Sequence, residues 1–392
     1  MSRYDKIFER VKPVLGNTFS LALPGLSNLL LSLLVIRIYN AEWWGAIVEL
    51  QVIYYLATNF TAWGNKEFLL REFSNSPSNI RNSWSSSFNT RALYILIPVC
   101  VGLFIFNHSV SGIFLISWVV LRHIQQSFEV IATYEKKFNT IVVSEFASLF
   151  MLCGTLFFFK NVEYEMVLLF ITISYLLRTL IVGVSFRKYL LFAANIDLAA
   201  ITASFTFMLL AFSNIVQTKA DLMVLDKLMS KTVLAQYGVV TSFIFLSKSA
   251  ITFIIYPFVK NIYRLNKDSI KLLSMVFLKF GIAITLAGIL LQYIMLTYFY
   301  HFEFSIVIYL LSFICVLPSF WYTPIVFFLF KNEQQQRVII VNVVGILINV
   351  LACFYFIRFY GVIGGLLSMA LSQVLMLAMV YYYFIRITSD EH

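Results

Sequence analysis

Long apolar runs follow one another along the chain, and only short polar stretches separate them. Twelve runs hold the roughly 20 predominantly apolar residues that a helix needs to cross a bilayer. They cover residues 15–39, 45–63, 88–106, 112–133, 140–159, 165–186, 198–218, 234–258, 272–295, 305–330, 338–357 and 361–385. The first run is too long for the core of a signal peptide, so we expect a retained helix. The pattern predicts an all-α integral membrane protein with twelve transmembrane helices.

The composition excludes several classes of protein. Hydrophobic residues make up 60% of the 392 residues and charged residues 12%, which is more apolar surface than a soluble domain can bury. The four cysteines lie in separate apolar runs, so we expect neither disulfides nor a metal site, and no cofactor. Basic residues are scattered between the runs, which argues against nucleic-acid binding. The connections are too short for an extramembrane domain, so the activity is expected inside the bilayer.

Lys and Arg are distributed unequally between the alternate connections. Nineteen lie in the N-terminal segment, the even-numbered connections and the C-terminal tail, against six in the odd-numbered connections. Because loops rich in Lys and Arg stay on the cytoplasmic side, we predict a multi-pass protein with both termini in the cytoplasm.

A faint internal repeat relates the two halves of the chain. The stretch LSNLLLSLLVIRIYNAEWWG is matched by FSNIVQTKADLMVLDKLMSKTVLAQYG, so that Asn28 corresponds to Asn214 and Gly45 to Gly238, at offsets of 186 and 193. A duplicated six-helix unit with the substrate site between its copies is a common transporter plan. We therefore predict two six-helix bundles, residues 1–192 and 193–392, around a central cavity. Two matches this short also arise by chance.

The predicted helix at residues 112–133 is interrupted by polar residues in the stretch VVLRHIQQSFEV. Arg122, Gln125 or Gln126, and Glu129 recur at helical spacing, which places them on one face. A charge at the centre of a membrane helix costs about 2.5 to 3.5 kcal/mol on insertion scales, so such a face turns towards protein or water. Two interpretations follow: a structural ion pair between Arg122 and Glu129, or a stripe that lines a cavity.

Other predicted helices carry polar faces of the same kind. These faces comprise Asn17, Ser20, Ser27 and Asn28 in the first helix, Thr206, Ser213, Gln217 and Asp221 in the seventh, and Thr241, Lys248 and Thr252 in the eighth. Several polar faces favour a shared aqueous interior.

Basic residues outnumber acidic ones in this interior. The basic set is Arg37, Arg122, Arg178, Lys219 and Lys248, and the acidic set is Glu129, Glu145 and Asp221. Guanidinium and ammonium groups suit phosphate oxygens, so we expect the cavity to bind an anion. His123 is interpreted as a helix-packing residue, with a proton-linked role as the alternative.

Three stretches carry patterns of a known family. SLLVIRIYNAEWWGAIVELQVIYYLATNFTAWGNKEFLLREFS holds Gly45, Gly64 and Leu69-Leu70-Arg71-Glu72. ADLMVLDKLMSKTVLAQYGVV holds Asp221 and, sixteen residues later, Tyr237. VNVVGILINVLACFYFIRFYGVIGGLLSMALSQ holds Asn342, Asn349, Gly361, Gly364 and Gly365. Together they resemble the bacterial O-antigen and polysaccharide flippases of the multidrug/oligosaccharidyl-lipid/polysaccharide superfamily.

The resemblance implies a MATE-like fold whose two bundles open alternately to either side of the bacterial cytoplasmic (inner) membrane. It implies a substrate, an undecaprenyl-diphosphate-linked repeat unit of O-antigen or capsule, that moves from the inner to the outer leaflet. Membrane lipids, an O-antigen polymerase and a chain-length regulator are the implied partners. We expect diphosphate and sugar to bind Arg37, Arg122, Arg178, Lys248, Gln125, Gln126, Asn28 and Gln217, and ion or proton coupling to involve Glu129, His123 and Asp221.

Two other functions compete with this hypothesis. A drug/cation antiporter of the same superfamily needs acidic groups in its cavity, and the first predicted helix has none. A polytopic glycosyltransferase or O-antigen polymerase would be an enzyme, but such families rely on an acidic pair or a large external loop, and the outer connections here are short. We therefore expect a transporter and no enzyme activity.

Overall fold

The computed structural model describes residues 3–106, 109–190, 196–255 and 262–386. These residues form helices and connections, and no strand occurs among them. The helices are α1 (Arg3–Ile38), α2 (Ala41–Ala62), α3 (Asn65–Asn75), α4 (Ile80–Phe106), α5 (Val110–Tyr134), α6 (Phe138–Phe158), α7 (Tyr164–Ser185), α8 (Leu198–Leu228), α9 (Lys231–Ile255), α10 (Lys267–Ile294), α11 (Ile306–Lys331) and a final stretch, Gln335–Arg386.

The final stretch is two membrane helices joined at one residue. Gly361 has a φ of 54° and a ψ of −124°, a backbone conformation that glycine adopts without steric penalty. The helix therefore breaks into residues 335–360 and residues 362–386, which we label α12 and α13. This break separates the eleventh and twelfth predicted spans.

The twelve predicted spans correspond to α1, α2 and α4 to α13, and only the short helix α3 has no predicted span. The prediction of an all-α fold is confirmed. By length and composition, nine helical stretches among the described residues can cross a membrane, with 335–386 counted once. The helices α2 and α5 are not among the nine. Both carry polar residues near their centres, such as Gln51 and Arg122.

The helices are divided between two compact units. Unit 1 comprises Met1–Ser27 and Leu50–Ile215, and unit 2 comprises Asn28–Glu49 and Val216–His392. These units differ from the predicted halves, because residues 28–49 fall in unit 2 and residues 193–215 in unit 1. Three helices, α1, α2 and α8, thus contribute to both units. The six-helix halves stay a prediction.

In unit 1, α5 packs against α4 and α7, and α6 packs against α7. The short helix α3 lies on α4 and α5 through the buried side chains of Leu69 and Phe73. The Trp84 indole donates a 2.8 Å hydrogen bond to the Ser127 carbonyl and its ring lies 4.9 Å from that of Phe128. Tryptophan combines a large apolar contact with one polar anchor, so this contact fixes α4 on α5.

In unit 2, α11 packs against α10 and against the stretch 335–386, while α9 contacts α10 and α11. A π-helical turn, Met295–Tyr300, follows α10. The Tyr300 hydroxyl donates to the Leu29 carbonyl at 2.8 Å and lies 2.6 Å from the Ser32 hydroxyl. These bonds attach the second half of α1 to the end of α10.

The glycines that the internal repeat matches lie at one contact between α2 and α9. A Cβ added to Gly45 would lie 1.9 Å from the Lys231 carbonyl oxygen, and one added to Gly238 would lie 3.1 Å from a methyl of Val48. Small residues let membrane helices approach this closely. The repeat therefore corresponds to a shared packing role.

We predict that Gly45→Ala destabilises the protein by about 1 to 3 kcal/mol, because the added methyl overlaps backbone that cannot move away cheaply. Gly154→Ala is the matched control, since nothing lies within 4 Å of its added Cβ, and it should be neutral or stabilising by up to about 1 kcal/mol. Thermal unfolding in detergent measures both variants. Equal midpoints for the two variants would contradict the close contact.

A charged cluster joins the connection after α5 to the connection after α7. The Glu135 carboxylate pairs with Lys137 at 2.6 Å and Lys188 at 3.0 Å, and accepts a hydrogen bond from the Tyr189 hydroxyl. Partial burial opposes ionisation of Glu135, but the hydrogen bonds from Lys137, Tyr189 and Lys188 outweigh it and lower its pKa to about 2.

We predict that Glu135→Gln lowers the thermal midpoint at about pH 7 and that its difference from the parent protein shrinks towards about pH 3. The pKa of Glu135 lies below its ordinary value of 4.5, so the charged form stabilises the fold above that value. This contribution is lost as the pH falls towards the folded-state pKa. The control is Glu163→Gln, at an exposed position before α7. If Glu135→Gln lowered the thermal midpoint by the same amount at both pH values, the charge of Glu135 would not be the source of the stabilisation.

Candidate functional site

The polar face of α5 contains an ion pair within the helix. Arg122 Nη1 lies 2.6 Å from Glu129 Oε1, and the two side chains are 24% and 23% exposed. Of the two interpretations of this face, the ion pair is thus present. The partial exposure of both side chains leaves them accessible from one side.

A second ion pair joins α7 to α6. Arg178 Nη2 lies 2.6 Å from Glu145 Oε2, and these side chains are only 12% and 1% exposed. Arg178 also donates to the Ser148 hydroxyl, at 3.3 Å from Nε and 3.2 Å from Nη2. Its guanidinium lies 5.3 Å from the centroid of the Tyr175 ring. The planar guanidinium is thus surrounded by a carboxylate, a hydroxyl and an aromatic ring.

The two ion pairs form one electrostatic cluster in unit 1. Arg122 interacts with Glu145 as well as Glu129, and the Tyr55 phenol interacts with both arginines. Two guanidinium groups face two carboxylates, so the formal charges of these four groups cancel. The excess of basic charge expected from the sequence is therefore not found in this cluster.

Three more predicted residues lie on α5. Gln125 is fully buried, and neither polar atom of its amide has a hydrogen-bond partner among the described residues. Gln126 Oε1 and His123 Nε2 are also buried without a described partner. The His123 ring lies 5.6 Å from that of Phe88, and its role stays a prediction. A buried polar group without a partner costs about 1 to 3 kcal/mol.

Arg91 is a buried cation that was counted with the basic residues of the second connection, although it lies three residues inside the predicted span 88–106. The structure places it inside α4, where it is 1% exposed. It donates to the hydroxyl of Ser87, to that of Ser204 at 3.1 Å and to the Trp63 carbonyl at 3.5 Å. No ion pair among the described residues includes Arg91, and its Nε has no partner there. Because α4 begins at Ile80, eight residues before the predicted span, Arg91 lies three turns inside the helix and not near its end.

In unit 2, two lysines lie near one aromatic ring. Lys219 Nζ and Lys248 Nζ are 5.3 Å and 5.8 Å from the centroid of Phe245. No described carboxylate lies within ion-pair distance of Lys248. The buried Asp221 instead accepts hydrogen bonds from the Tyr237 hydroxyl and from the Leu222 amide, the latter at 2.9 Å. The Asp–Tyr spacing seen in the sequence thus corresponds to a direct contact.

The three remaining predicted binding residues, Arg37, Asn28 and Gln217, lie in unit 2. Arg37 is exposed at the end of α1, 2.8 Å from His301 Nε2. Asn28 is half-buried in α1, and the backbone carbonyl of Gln217 accepts a 3.4 Å bond from Asn349. The side chains of Asn17 and Thr206 lie outside the described part of the structure. That Arg37, Arg122, Arg178 and Lys248 share one chamber stays a prediction.

An apolar cavity of about 280 Å³ adjoins the charged face of α5 in unit 1. Its walls include Ile53 of α2, Pro98 of α4, Leu115 and Val119 of α5, and Phe212 of α8. Leu115 and Val119 share a helical face with Arg122, at intervals of seven and three residues. One face of α5 is therefore apolar at its N-terminal end and charged towards its C-terminal end.

No protein-family profile and no curated protein sequence matches this chain. The solved structure of the lipid II flippase MurJ in an inward closed conformation matches with a TM-score of 0.67 at 14% identity, over 95% of this chain and 87% of that one. An inward-facing multidrug-resistance MATE transporter of the MOP superfamily matches with a TM-score of 0.63 at 12% identity, over 96% and 95%. A MATE in a bent conformation gives 0.62 at 12% identity, over 97% and 95%.

All three of these structures are of transporters, and their identities to this chain are low enough that the likeness shows the fold alone. The MATE-like, all-helical fold predicted from the sequence is confirmed. This membrane protein has the fold of MurJ and MATE transporters.

Proposed function

We propose that the protein is a flippase that moves an undecaprenyl-diphosphate-linked repeat unit of O-antigen or capsule from the inner to the outer leaflet of the bacterial cytoplasmic membrane. Both termini lie in the cytoplasm in this proposal. The fold of a lipid II flippase and of MATE transporters supports a transport function. The observation that carries the substrate class is basic charge without an ion pair among the described residues, at the buried Arg91 and the partly buried Lys248.

Such charges favour an anionic substrate on energetic grounds. A buried cation without a counter-charge is strongly destabilising unless it is hydrogen-bonded or meets an anion during function. Lys248 lies beside Lys219 at the Phe245 ring, so an anion near that ring would interact with both ammonium groups. A diphosphate supplies several oxygens to such groups.

The face of α5 suits an amphiphilic molecule. The cavity beside Leu115 and Val119 is apolar, and Arg122, Gln125 and Gln126 follow within two turns. An isoprenoid chain in the cavity would bring a phosphate towards the arginine, and buried amide groups would bind sugar hydroxyls. In this proposal Glu129, His123 and Asp221 are the groups available for ion or proton coupling.

A drug/cation antiporter with the same fold is the alternative. Such a transporter needs a carboxylate that can receive a cation in the membrane. Glu129 and Glu145 are each paired with an arginine, and Asp221 accepts a hydrogen bond from Tyr237. A cationic drug would have to displace one of these partners, which supports an anionic substrate, and ion or proton coupling at Glu129 or Asp221 would require the same exchange.

Deletion of the gene tests the proposed function directly. We predict that the deletion strain accumulates an undecaprenyl-diphosphate-linked oligosaccharide on the cytoplasmic leaflet and loses surface polysaccharide, and that the intact gene restores both. Mass spectrometry of extracted lipids and labelling of surface polysaccharide measure the two effects. Normal lipid-linked intermediates together with sensitivity to cationic drugs would support the antiporter instead.

Single variants test the basic residues. We predict that Lys248→Gln reduces complementation of the deletion strain about tenfold or more while the amount of protein in the membrane is retained, because one charge-assisted contact is worth about 1.5 to 3 kcal/mol. Lys279→Gln is the matched control, since Lys279 is exposed on α10. Equal export by the two variants would remove Lys248 from the substrate site.

The Arg178–Glu145 pair needs a double variant. Removing one partner of a buried pair costs about 3 to 5 kcal/mol, so Arg178→Gln alone should be unstable. We predict that Arg178→Gln with Glu145→Gln recovers stability without recovering export. Thermal unfolding and complementation measure the two effects, and recovery of both would make the pair purely structural.

A further inference from the structure

A polar cavity lies between α3, α4 and the start of α8 in unit 1, separate from the charged face of α5. Its volume is about 310 Å³. Seven residues with polar or aromatic side chains line it: Phe68, Arg71, Glu72, Ser83, Ser86, Ser87 and Asp197. A cavity of this size accommodates a small polar ligand together with water.

The lining is held in place by hydrogen bonds on its α4 side. Ser83, Ser86 and Ser87 lie at intervals of three and four residues, so their hydroxyls share one face of the helix. Ser87 donates to Asn65 at 2.9 Å and accepts from Arg91. The cation of Arg91 therefore fixes the orientation of a hydroxyl in the cavity wall.

The α8 side of the cavity is equally well defined. The Asp197 carboxylate accepts the amides of Ala199 and Ala200 at 3.0 Å and 3.2 Å, which caps the start of α8. The Asp197 amide donates to the Thr90 hydroxyl at 2.9 Å. These bonds tie the start of α8 to α4 and leave carboxylate lone pairs for further donors.

The charges and chemical groups of the lining indicate the class of ligand. Glu72 and Asp197 face Arg71 in the described lining, and Arg91, bonded to Ser87 behind the wall, balances the second carboxylate, so the cavity has no net positive charge that would select a phosphate. Carboxylates accept hydrogen bonds from hydroxyl groups, while arginine and serine donate to ring and hydroxyl oxygens. Phe68 adds an apolar surface for the carbon face of a sugar ring. Hydroxyl donors and acceptors beside an apolar face are the chemistry of a pyranose.

The position of the cavity agrees with a saccharide that is attached to a lipid. Ser83 to Ser87 lie about 5 to 10 Å from the start of α4, and Arg122 lies about 18 Å from the end of α5, at 1.5 Å per residue. Both of these helix ends are on the predicted cytoplasmic side. Going along the helix axes from the cytoplasmic side, the polar cavity comes first, the charged face of α5 second and the apolar cavity third. A glycolipid of the inner leaflet presents its sugar, its phosphate and its lipid chain in the same order.

We propose that this cavity binds a pyranose residue of the transported glycolipid on the cytoplasmic side before translocation. The identity of the carrier lipid rests on the proposed function, whereas the binding of a pyranose rests on the cavity itself. Glu72 and Ser83 are the residues to vary, because Ser87 holds Arg91 and Asp197 caps α8.

Binding is tested with purified protein in nanodiscs of phosphatidylethanolamine and phosphatidylglycerol, which carry no sugar. The probes are the methyl glycosides of glucose, galactose, mannose, rhamnose and N-acetylglucosamine, detected by saturation-transfer NMR. We expect saturable binding of at least one glycoside, weakened about tenfold by Glu72→Gln, because the neutral amide loses a charge-assisted hydrogen bond to the sugar. Ser83→Leu, which places an apolar side chain in the cavity, should abolish it.

The matched control is Glu165→Gln, at an exposed position in the first turn of α7, which should bind as the parent protein does. Thermal midpoints equal to that of the parent protein show that the variants are folded. If Ser83→Leu does not fold, the binding measured for Glu72→Gln alone tests the proposal. The proposal is overturned if no glycoside binds, if Glu72→Gln binds as the control does, or if inorganic pyrophosphate displaces the glycoside. Glycoside binding in a protein whose deletion causes no accumulation of lipid-linked saccharide would support the cavity and refute the proposed function.

Discussion

The ion pair between Arg178 and Glu145 is the interaction on which the arrangement of unit 1 depends. A guanidinium within a membrane helix is costly, so the helix that carries it is favoured next to a helix that supplies a partner. Glu145 and Ser148 supply that partner from α6, while Tyr175 covers the guanidinium from α7 itself. The positions of α6 and α7 therefore follow from a single charge.

The basic side chains of this protein differ in the groups that neutralise or bind them. In unit 1 the arginines of α5 and α7 are neutralised by carboxylates, whereas Arg91 is held by hydroxyls and a carbonyl. In unit 2, Lys248 lies beside an aromatic ring without a described carboxylate. The Arg178–Glu145 pair joins α7 to α6, and the Arg122–Glu129 pair lies within α5. Arg91 and Lys248 have no ion pair among the described residues.

Hydropathy was sufficient to predict the membrane helices, because a helix that crosses a bilayer must be long and apolar. The break between the last two helices also followed, since Gly361 lies between two apolar runs. Hydropathy did not predict the start of α4, because the first two turns of this helix are rich in serine and asparagine and lie against α3 and α5. Arg91 was counted with the basic residues of the second connection, although it lies three residues inside the predicted span.

The candidate site was only partly predictable from the sequence. The pairing of Arg122 with Glu129 was one of two interpretations, because both residues lie on the same helix and periodicity relates them. The pairing of Arg178 with Glu145 depends on the packing of two different helices, which periodicity within one helix cannot give. The polar cavity at Ser83 was not predicted for the same reason: α8, which forms part of its wall, is far from α3 and α4 in the sequence.

The polar character of α5 has a consequence for biogenesis. Each charged residue at the centre of a helix opposes insertion by the translocon by about 2.5 to 3.5 kcal/mol, and α5 carries both Arg122 and Glu129. Its ion pair offsets part of this penalty within the helix, but buried amides such as that of Gln125 need neighbouring helices. We infer that α5 enters the bilayer together with a neighbouring helix, so that early assembly of unit 1 is coupled to its insertion.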